Sequence, residues 1–286
     1  MSLCHLNGQY LPLAEARVSP LDRGFLFGDG AYEVIPVYSR HPFRLAEHLT
    51  RLESTLAALR LPNPHSAAEW SEIIGKIIAG NAWDDQSVYL QITRGADAVR
   101  KHAFPPASVP PTVFLMTEPL PSPTPAQLEN GVGAVSAEDD RWLHCELKTV
   151  ALLANCLLRQ RALDAGCAET ILFRDGVLTE GAASNIFVVK NGLLLAPPKN
   201  HLILPGITYD VILELAAAHA VPHEVRNISE AEARAADELW MSSSTKEVLP
   251  ITTLDGQPVG TGRPGALARR MHALYQDFKN TVMRRG

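Results

Sequence analysis

The chain has 286 residues, of which 46% are hydrophobic and 20% are charged, and its formal net charge is −5. This composition is typical of a globular protein with enough apolar material for one large domain or two ordinary ones. The mildly negative charge, without a block of lysines and arginines, argues against a nucleic-acid partner. Apolar runs stay below the roughly 18 residues that a membrane span needs, so we expect no membrane partner either.

The cysteines carry little information about function. Their spacing follows neither a Cys-x-x-Cys pair nor a zinc-binding pattern: Cys4, Cys145, Cys156 and Cys167. The N-terminal residues also lack the basic region and the apolar region of a signal peptide. We therefore expect reduced cysteines, no metal site and a cytoplasmic location.

Short strands and two helices are expected in the N-terminal part. Asn7-Gly8 and the residues from Ser39 to Pro42 each separate two apolar runs and predict hairpin turns. A first helix is predicted by leucines at helical spacing, namely Leu45, Leu49, Leu52, Leu56 and Leu59. A second helix is expected over residues 67–79, and the segments SVYLQITRG and TVFLMTE are expected to be strands.

Alternating prolines mark the clearest domain boundary. They remove backbone donors and favour an extended chain, at Pro119, Pro121, Pro123 and Pro125. We predict a small N-terminal α+β domain over residues 1–119, a Pro-rich linker over 120–125, and a larger C-terminal α+β domain over 126–286.

The C-terminal part is expected to begin with the strands GVGAVSAED and RWLHCELK. A helix from Val150 to Gly166 would then carry one apolar face, formed by Val150, Leu153, Ala154, Leu157 and Leu158. Hairpin turns are predicted at Asp175-Gly176 and Asn191-Gly192, and further helices over 207–220 and 264–282. Because strands and helices come in clusters and do not alternate strictly, we predict two α+β domains.

Lys148 is the first candidate for chemistry. It ends the predicted strand RWLHCELK, beside the apolar residues Trp142, Leu143 and Leu147. A lysine desolvated in such surroundings would lose basicity and could act as a nucleophile or a base. A lone lysine at a strand end is more often simply exposed, so this interpretation depends on its companions.

Those companions are a carboxylate and several candidate anion ligands. Glu180 ends another predicted strand and is followed by small residues, which would let a ligand approach the backbone. A helix begins after Gly206, and free amides at a helix start favour an anion such as phosphate. Further candidates for the anion are Arg51, Ile207, Thr208 and the hydroxyls of Ser242 to Thr245. Each signal alone would indicate a cap or a turn, but together they are what pyridoxal phosphate requires.

The same residues lie in longer motifs that resemble the class IV pyridoxal-phosphate aminotransferases, and within them the D-amino acid aminotransferase branch. The resemblance runs nearly end to end, through SPLDRGFLFGDGAYEVIPVY, HLTRLESTLAAL, ITRGADAVRKHAFP, RWLHCELK, LTEGAASNIFVV, ILPGIT and MSSSTKEVLP. It implies a two-domain α+β enzyme of fold-type IV, with the cofactor at the domain interface, and a homodimer.

The resemblance also implies a role for each candidate. Lys148 would form a Schiff base with pyridoxal 5′-phosphate and carry the proton that moves during the reaction, and Glu180 would face the pyridine nitrogen. The phosphate would bind Arg51, Ile207, Thr208, Ser243 and Ser244.

The loop GADAVRKHAFP resembles the substrate-binding loop of the D-amino acid branch. Arg100 and His102 match its Arg-x-His pair, Tyr32 matches the companion tyrosine, and Val34 is assigned to the same substrate site. A guanidinium can bind a carboxylate through two hydrogen bonds, and imidazole and phenol can donate beside it. In the family this loop reaches the active site of the partner subunit. Outside this context Arg100 and His102 would be ordinary solvated loop residues.

The expected reaction is a ping-pong transfer of the amino group from a D-amino acid such as D-alanine to a 2-oxo acid, pyruvate or 2-oxoglutarate. An (R)-amine transaminase or a branched-chain aminotransferase would share the cofactor residues and differ in the substrate site, and Arg100 and His102 argue against both. A 4-amino-4-deoxychorismate lyase would use the same lysine to eliminate pyruvate. A non-catalytic binding protein would share the fold but would not carry out the reaction.

Overall fold

The computed structural model describes residues 2–285 of the chain. Helices and strands come in clusters along these residues, and the strands form two sheets. Within this part of the chain, no helix combines the length and the apolar character that crossing a membrane would require. The four cysteines are free thiols, as their spacing in the sequence predicts.

The chain divides into two compact units. The first consists of the chain up to Leu120, the segment Leu147–Leu152 and the chain from Val282 onward. The second consists of Pro121–Glu146 and Leu153–Thr281. Each unit contains both helices and strands, so the predicted α+β class is confirmed.

The first unit is built on a six-stranded antiparallel sheet in the order β2-β1-β6-β5-β3-β4. Its strands are β1 Leu3–Leu6, β2 Gln9–Pro12, β3 Gly30–Tyr38, β4 His41–Pro42, β5 Gln86–Thr93 and β6 Thr112–Pro119. The predicted hairpin turns are confirmed, because Asn7-Gly8 and Ser39-Arg40 all have the positive φ angles that tight two-residue turns need.

The segment Leu147–Leu152 extends this sheet beside the first residues of β3. The N–H of Tyr32 donates to the carbonyl of Lys148 over 3.0 Å, and the N–H of Val150 donates to the carbonyl of Gly30 over 3.0 Å. The sequence predicts one continuous C-terminal domain instead, and the structure differs because these six residues hydrogen-bond with a strand more than a hundred positions earlier.

The described residues of this unit form three α-helices and one 3-10 helix, Leu13–Glu15. The α-helices are α1 Arg23–Phe27, α2 Leu45–Ala58 and α3 Ala67–Ala79. The predicted apolar stripe of α2 is buried at Leu49, Leu52 and Leu56 and packs in one cluster with residues of α3 and the sheet. A capping box of Ser66 and Glu69 begins α3, which matches the predicted range.

The second unit contains a nine-stranded mixed sheet in the order β12-β11-β10-β13-β14-β7-β8-β9, with β15 paired to β14. The strands are β7 Val132–Glu138, β8 Glu169–Arg174, β9 Val177–Gly181, β10 Asn185–Lys190, β11 Leu193–Ala196, β12 His223–Val225, β13 Glu238–Ser242, β14 Leu249–Leu254 and β15 Gln257–Pro258. Both predicted hairpins are confirmed, with their turns at Asp175-Gly176 and Asn191-Gly192.

Five helices of this unit are described: α4 Pro125–Asn130, α5 Leu153–Asp164, α6 Ile207–Ala218, α7 Glu230–Arg234 and α8 Ala266–Phe278. A π-helical turn, Lys279–Met283, follows α8. The predicted helix over 264–282 therefore ends earlier as an α-helix, and its last residues adopt a wider turn.

The prediction that RWLHCELK forms a strand is wrong. Residues 141–148 form bends and turns, and the N–H of Cys145 donates to the carbonyl of His201 over 2.8 Å. Trp142 and Leu143 are 49% and 57% exposed, so they do not provide the apolar surroundings expected for Lys148.

The helix predicted to begin at Val150 begins at Leu153, because the backbone of Val150 is engaged by β3. Its expected apolar face is not buried. Leu153 is 73% exposed and Leu157 is 64% exposed. Helical periodicity therefore located the helix, but it did not identify what the apolar face contacts.

Candidate active site

Lys148 is held in the first unit by its backbone. Its carbonyl accepts the N–H of Tyr32 in β3, and its own N–H donates to the hydroxyl of Thr55 on α2 over 3.4 Å. The amine Nζ lies 4.1 Å from the centre of the Tyr32 ring. An ammonium group above an aromatic face is attracted by the ring, so Tyr32 replaces the expected tryptophan and leucines as the neighbour of the amine.

Tyr32 and Val34 lie on one face of β3, since residues two apart in a strand point to the same side. Tyr89 of β5 is paired with Val34 across the strands, and its ring lies 5.6 Å from the Tyr32 ring. The Tyr89 hydroxyl donates to Gln91 over 2.6 Å, and burial raises the pKa of Tyr89 to about 12. The structure thus brings Lys148 and the two predicted substrate residues of β3 together on a face lined by tyrosines.

Arg51 makes a two-point contact with Glu33. Its Nε and Nη2 atoms each lie 2.7 Å from a carboxylate oxygen of Glu33, and the Nδ1 atom of His48 lies 2.8 Å from one of these oxygens. Glu33 is completely buried. Burial alone would raise the pKa of Glu33, but Arg51 and His48 outweigh it and lower the pKa to about 2. An ionised Glu33 therefore orients the predicted phosphate ligand Arg51.

The sequence prediction included Arg51 but missed Glu33 and His48. A signal was present, because His48, Arg51 and Thr55 interrupt the leucine stripe of α2 at helical spacing. Polar residues on the buried side of a helix need partners there, and Glu33 is one of them.

Arg100 and His102 contact the end of α1. The Arg100 guanidinium lies 4.8 Å from the centre of the Phe27 ring, and the His102 ring lies 5.4 Å from the same ring. Both side chains are exposed. The two predicted carboxylate ligands are thus brought together on Phe27, whereas Lys148 contacts Tyr32.

Glu180 is the buried carboxylate of the second unit, at the end of β9. One of its oxygens accepts from Arg141 over 2.8 Å, and the other accepts from the N–H of Leu204 over 3.1 Å and from the Asn185 amide over 3.5 Å. Burial raises the pKa of Glu180 to about 7, although the positive charge of Arg141 acts against this shift. Glu180 therefore depends on its partners to remain ionised near neutral pH.

Arg141 links Glu180 to a second buried carboxylate. Its Nε and Nη2 atoms lie 2.8 Å and 2.9 Å from the oxygens of Asp139. Asp139 also lies 3.0 Å from Arg174 and accepts from the Thr179 hydroxyl over 2.8 Å. The sequence prediction missed Arg141 and Asp139, because Asp139 ends one predicted strand, GVGAVSAED, and Arg141 begins the next, RWLHCELK, and neither was assigned a role there.

The predicted phosphate ligands of this unit lie near Glu180. Helix α6 begins after Gly206 without a side-chain cap, so its first amides are free of partners within the helix. A Cβ atom on Gly206 would lie 2.1 Å from the amide oxygen of Asn185, so only glycine permits this close approach. Asn185 in turn donates to Glu180 and pairs with Ser242 across β10 and β13.

The hydroxyl-rich turn follows directly after Ser242. The N–H of Thr245 donates to the Ser243 hydroxyl over 3.4 Å, and the Thr245 and Ser243 hydroxyls are 3.4 Å apart. Asn185 therefore connects three features of this unit: the carboxylate of Glu180, the start of α6 and the turn that contains Ser243 and Ser244.

Residues 30–254 match the family model described as amino-transferase class IV. The chain belongs to this family. This class IV aminotransferase is 38% identical over 271 residues to the D-alanine aminotransferase of Bacillus licheniformis, with 95% of each chain covered. It is 36% identical over 278 residues to the D-alanine aminotransferase of Staphylococcus aureus strain MW2, with 97% of this chain and 98% of that one covered.

Solved structures agree on the fold of this class IV aminotransferase. The branched-chain amino acid aminotransferase of Escherichia coli has a TM-score of 0.88 and 28% identity, covering 98% of this chain and 94% of the other. The branched-chain amino acid aminotransferase of the archaeon Thermoproteus uzoniensis with norvaline has a TM-score of 0.86 and 24% identity, covering 96% and 94%, and supports the fold alone. The expected family, fold and enzyme class, an aminotransferase, are confirmed.

Proposed function

We propose that this aminotransferase uses pyridoxal 5′-phosphate to move the amino group of a D-amino acid such as D-alanine to a 2-oxo acid, pyruvate or 2-oxoglutarate, in a ping-pong reaction. The observation that carries the proposal is the amine of Lys148, fixed beside Tyr32 in a chain that resembles D-alanine aminotransferases over 95% of its length. Tyr32 is also the residue that the D-amino acid branch would use beside the substrate carboxylate.

The donors and acceptors of the two units fit the cofactor chemically. A buried carboxylate suits a protonated ring nitrogen, and a helix start without a side-chain cap suits a phosphate. Gly206 lets the Asn185 side chain, which also donates to Glu180, pack closely against that helix start. The residues proposed to hold the cofactor are Lys148, Arg51, Glu180, Ile207, Thr208, Ser243 and Ser244. When bound, pyridoxal phosphate supplies an electron sink for the substrate carbanion.

Lys148 is proposed to move the proton of the substrate Cα atom with its Nζ. A general base contributes most when it is held within hydrogen-bond reach of the proton it takes. The two backbone hydrogen bonds that join residues 148 and 150 to β3 restrict the position of this amine. Tyr32 and Val34, on the neighbouring face of β3, are proposed to contact the substrate.

Glu180 is proposed to keep the ring nitrogen protonated. Burial raises the pKa of Glu180 to about 7 even though Arg141, at 2.8 Å, favours the ionised carboxylate. A carboxylate that stays charged in turn favours the charged form of its hydrogen-bond partner. Arg141 and Asp139 thereby support the electron sink without contacting the reacting atoms.

The substrate carboxylate is proposed to bind Arg100 and His102 of the partner subunit, which requires a homodimer. The exposed apolar side chains support an interface between two copies, since Phe25 is 77% exposed and Leu153 and Leu157 on α5 are 73% and 64% exposed. A cytoplasmic location stays a prediction, in keeping with four free cysteines.

Single-turnover absorbance of the bound cofactor tests the proposal. D-Alanine, L-leucine and (R)-1-phenylethylamine are added separately to the purified enzyme, without an acceptor. We expect conversion to the pyridoxamine form by D-alanine alone. Conversion by L-leucine would favour the branched-chain activity of the Escherichia coli relative, and conversion by the amine would favour an (R)-amine transaminase. Release of pyruvate from 4-amino-4-deoxychorismate would indicate the lyase.

A further inference from the structure

Arg23, the first residue of α1, holds the backbone of the loop that carries Arg100 and His102. Its Nη1 atom donates to the carbonyls of Lys101 over 2.6 Å and Ala103 over 3.2 Å, and its Nη2 atom donates to the carbonyl of His102 over 3.1 Å. The remaining donor, Nε, is bound by Asp29 over 2.8 Å. Arg23 is only 6% exposed, so the guanidinium side of these contacts is shielded from water.

Asp29 fixes the direction of the Arg23 guanidinium. It also binds Arg94 through two contacts, of 2.9 Å and 3.0 Å. Burial would raise the pKa of Asp29, but hydrogen bonds from Arg94 and Arg23 outweigh it and lower the pKa. Arg94 is itself anchored at the end of α2, through the carbonyls of Leu59 and Arg60. The Arg23–Asp29–Arg94 group is therefore attached to the C-terminal end of α2.

The start of α1 is fixed as well. The side chain of Asp22 caps the helix by accepting from the N–H of Gly24 over 2.8 Å. Its other oxygen accepts from the hydroxyls of Thr93 over 2.9 Å and Thr112 over 2.6 Å, on β5 and β6. Helix α1 is too short to be stable alone, and these contacts make it a fixed support.

Helix α1 supports the loop in two ways. Phe27, at its end, contacts both Arg100 and His102, and the Arg23 guanidinium lies 4.8 Å from the centre of the same ring. The loop backbone is bound by Arg23, and the two loop side chains rest on Phe27. One five-residue helix thus sets both where the loop lies and where its side chains begin.

We propose that Arg23 is a positioning residue for recognition of the substrate carboxylate. By binding three successive carbonyls it keeps the loop in one register, so that Arg100 and His102 are presented together. A planar guanidinium can bind several acceptors in a fixed arrangement, whereas a lysine ammonium is a single point charge. The proposal rests on the proposed function, because it assigns Arg100 and His102 to the substrate carboxylate.

The test compares Arg23→Gln and Arg23→Lys with the unchanged holoenzyme. We expect the KM values for D-alanine and pyruvate to rise about tenfold or more in Arg23→Gln, because small misplacements of binding groups are costly. We expect kcat to fall far less and cofactor affinity to stay unchanged. Arg23→Lys should recover part of the KM.

Trypsin provides a readout that does not depend on activity. It cuts after Arg100 and Lys101, and the carbonyl of Lys101 is one of those that Arg23 binds. We expect cleavage at these bonds to be about tenfold faster in Arg23→Gln, since an ordered backbone resists proteolysis. Arg40→Gln is the control, because Arg40 also binds backbone carbonyls, those of Asn81 and Trp83, although its side chain is more exposed than that of Arg23. It should change neither KM nor cleavage at this loop.

Arg100→Ala separates the two levels of the proposal. If it raises KM and Arg23→Gln changes neither KM nor cleavage, the role of Arg23 is wrong and the proposed function stands. If Arg100→Ala leaves KM unchanged, the carboxylate assignment fails and the role of Arg23 fails with it. If both Arg23 variants show a lower kcat, a higher KM and a lower thermal stability to the same degree, the defect is one of folding in general. That result would also overturn the positioning role.

Discussion

At the scale of single residues, the position of Lys148 is set by main-chain hydrogen bonds. Its carbonyl and the N–H two residues later both bind β3, and its side chain then extends over Tyr32. A base held in this way loses little conformational freedom when the reaction begins. The proposed role of Lys148 therefore depends on main-chain hydrogen bonds to β3, which its side chain does not form.

Replacing Lys148 by alanine tests its role. We expect the single-turnover rate with D-alanine to fall by at least about 10³-fold, because a positioned general base is removed while the fold is kept. Lys76→Ala is the control, since Lys76 is an exposed residue of α3 paired with Glu72. Full activity of Lys148→Ala would contradict the mechanism.

Glu33 gives a pH-dependent prediction. Its folded pKa of about 2 lies below the usual 4.5, so its ionised form stabilises the protein above pH 4.5, and this contribution is lost as the pH falls towards 2. Glu33→Gln removes the charge. We expect the difference in free energy of unfolding between the unchanged protein and Glu33→Gln to shrink by roughly 2 kcal/mol between pH 7 and pH 3.

Urea unfolding at both pH values measures this difference. Glu72→Gln serves as the control, because Glu72 is 66% exposed in its pair with Lys76 and should show no comparable pH dependence. A difference for Glu33→Gln that is equal at pH 7 and pH 3 would mean that Glu33 keeps an ordinary pKa in the folded protein.

At the scale of elements, local sequence signals were sufficient where local chemistry decides the structure. The turns at Asn7-Gly8, Asp175-Gly176 and Asn191-Gly192 need positive φ angles, which these residues adopt at low cost. The strand prediction for residues 141–148 was wrong because their conformation follows from contacts of Arg141 and Cys145 with residues distant in sequence. The periodicity of apolar residues in the sequence carries no information about such contacts.

The N-terminus of α3 allows a stability prediction. The Ser66 hydroxyl accepts from the N–H of Glu69, and the Glu69 carboxylate accepts from the N–H of Ser66. Ser66→Ala should lower the free energy of unfolding by about 1 kcal/mol, because an amide of the first turn loses its partner. Ser71→Ala, within the same helix, should cost less, since alanine favours the helix interior.

Thermal or urea unfolding of the two serine variants measures this difference in stability. Equal losses for Ser66→Ala and Ser71→Ala would show that the capping box contributes nothing specific to the folded state.

At the scale of the whole molecule, the exposed face of α5 predicts the oligomeric state. Leu157→Glu introduces a charge where Leu157 is 64% exposed, and we expect it to shift a homodimer towards monomers, since burying an unpaired charge in an interface is costly. Val225→Glu is the control, because Val225 is 46% exposed on β12. Sedimentation measures both, and a dimer unchanged by Leu157→Glu would exclude this face.

The order of motifs along the chain was enough to predict the family and the residues proposed for the cofactor. The residues that support the site were missed, because Glu33 and Arg141 act through charged partners 18 and 39 positions away in the sequence, and Arg23 acts through backbone carbonyls such as that of Lys101, 78 positions away. A single sequence records the presence of such charges but not their pairing. For the same reason, the sequence places Leu147–Leu152 in the C-terminal domain, whereas these residues group with the first unit.

The placement of Leu147–Leu152 has a consequence for biosynthesis. All six strands of the sheet in the first unit are synthesised before this segment. Gly30 and Tyr32 therefore lack their hydrogen-bond partners in this segment while more than twenty residues of the second unit are translated. The nascent sheet keeps an open stretch on β3 during that interval, and such edges are prone to wrong pairing. The segment that covers this edge contains Lys148, so the nascent edge is protected at the same time as the proposed catalytic amine reaches its place.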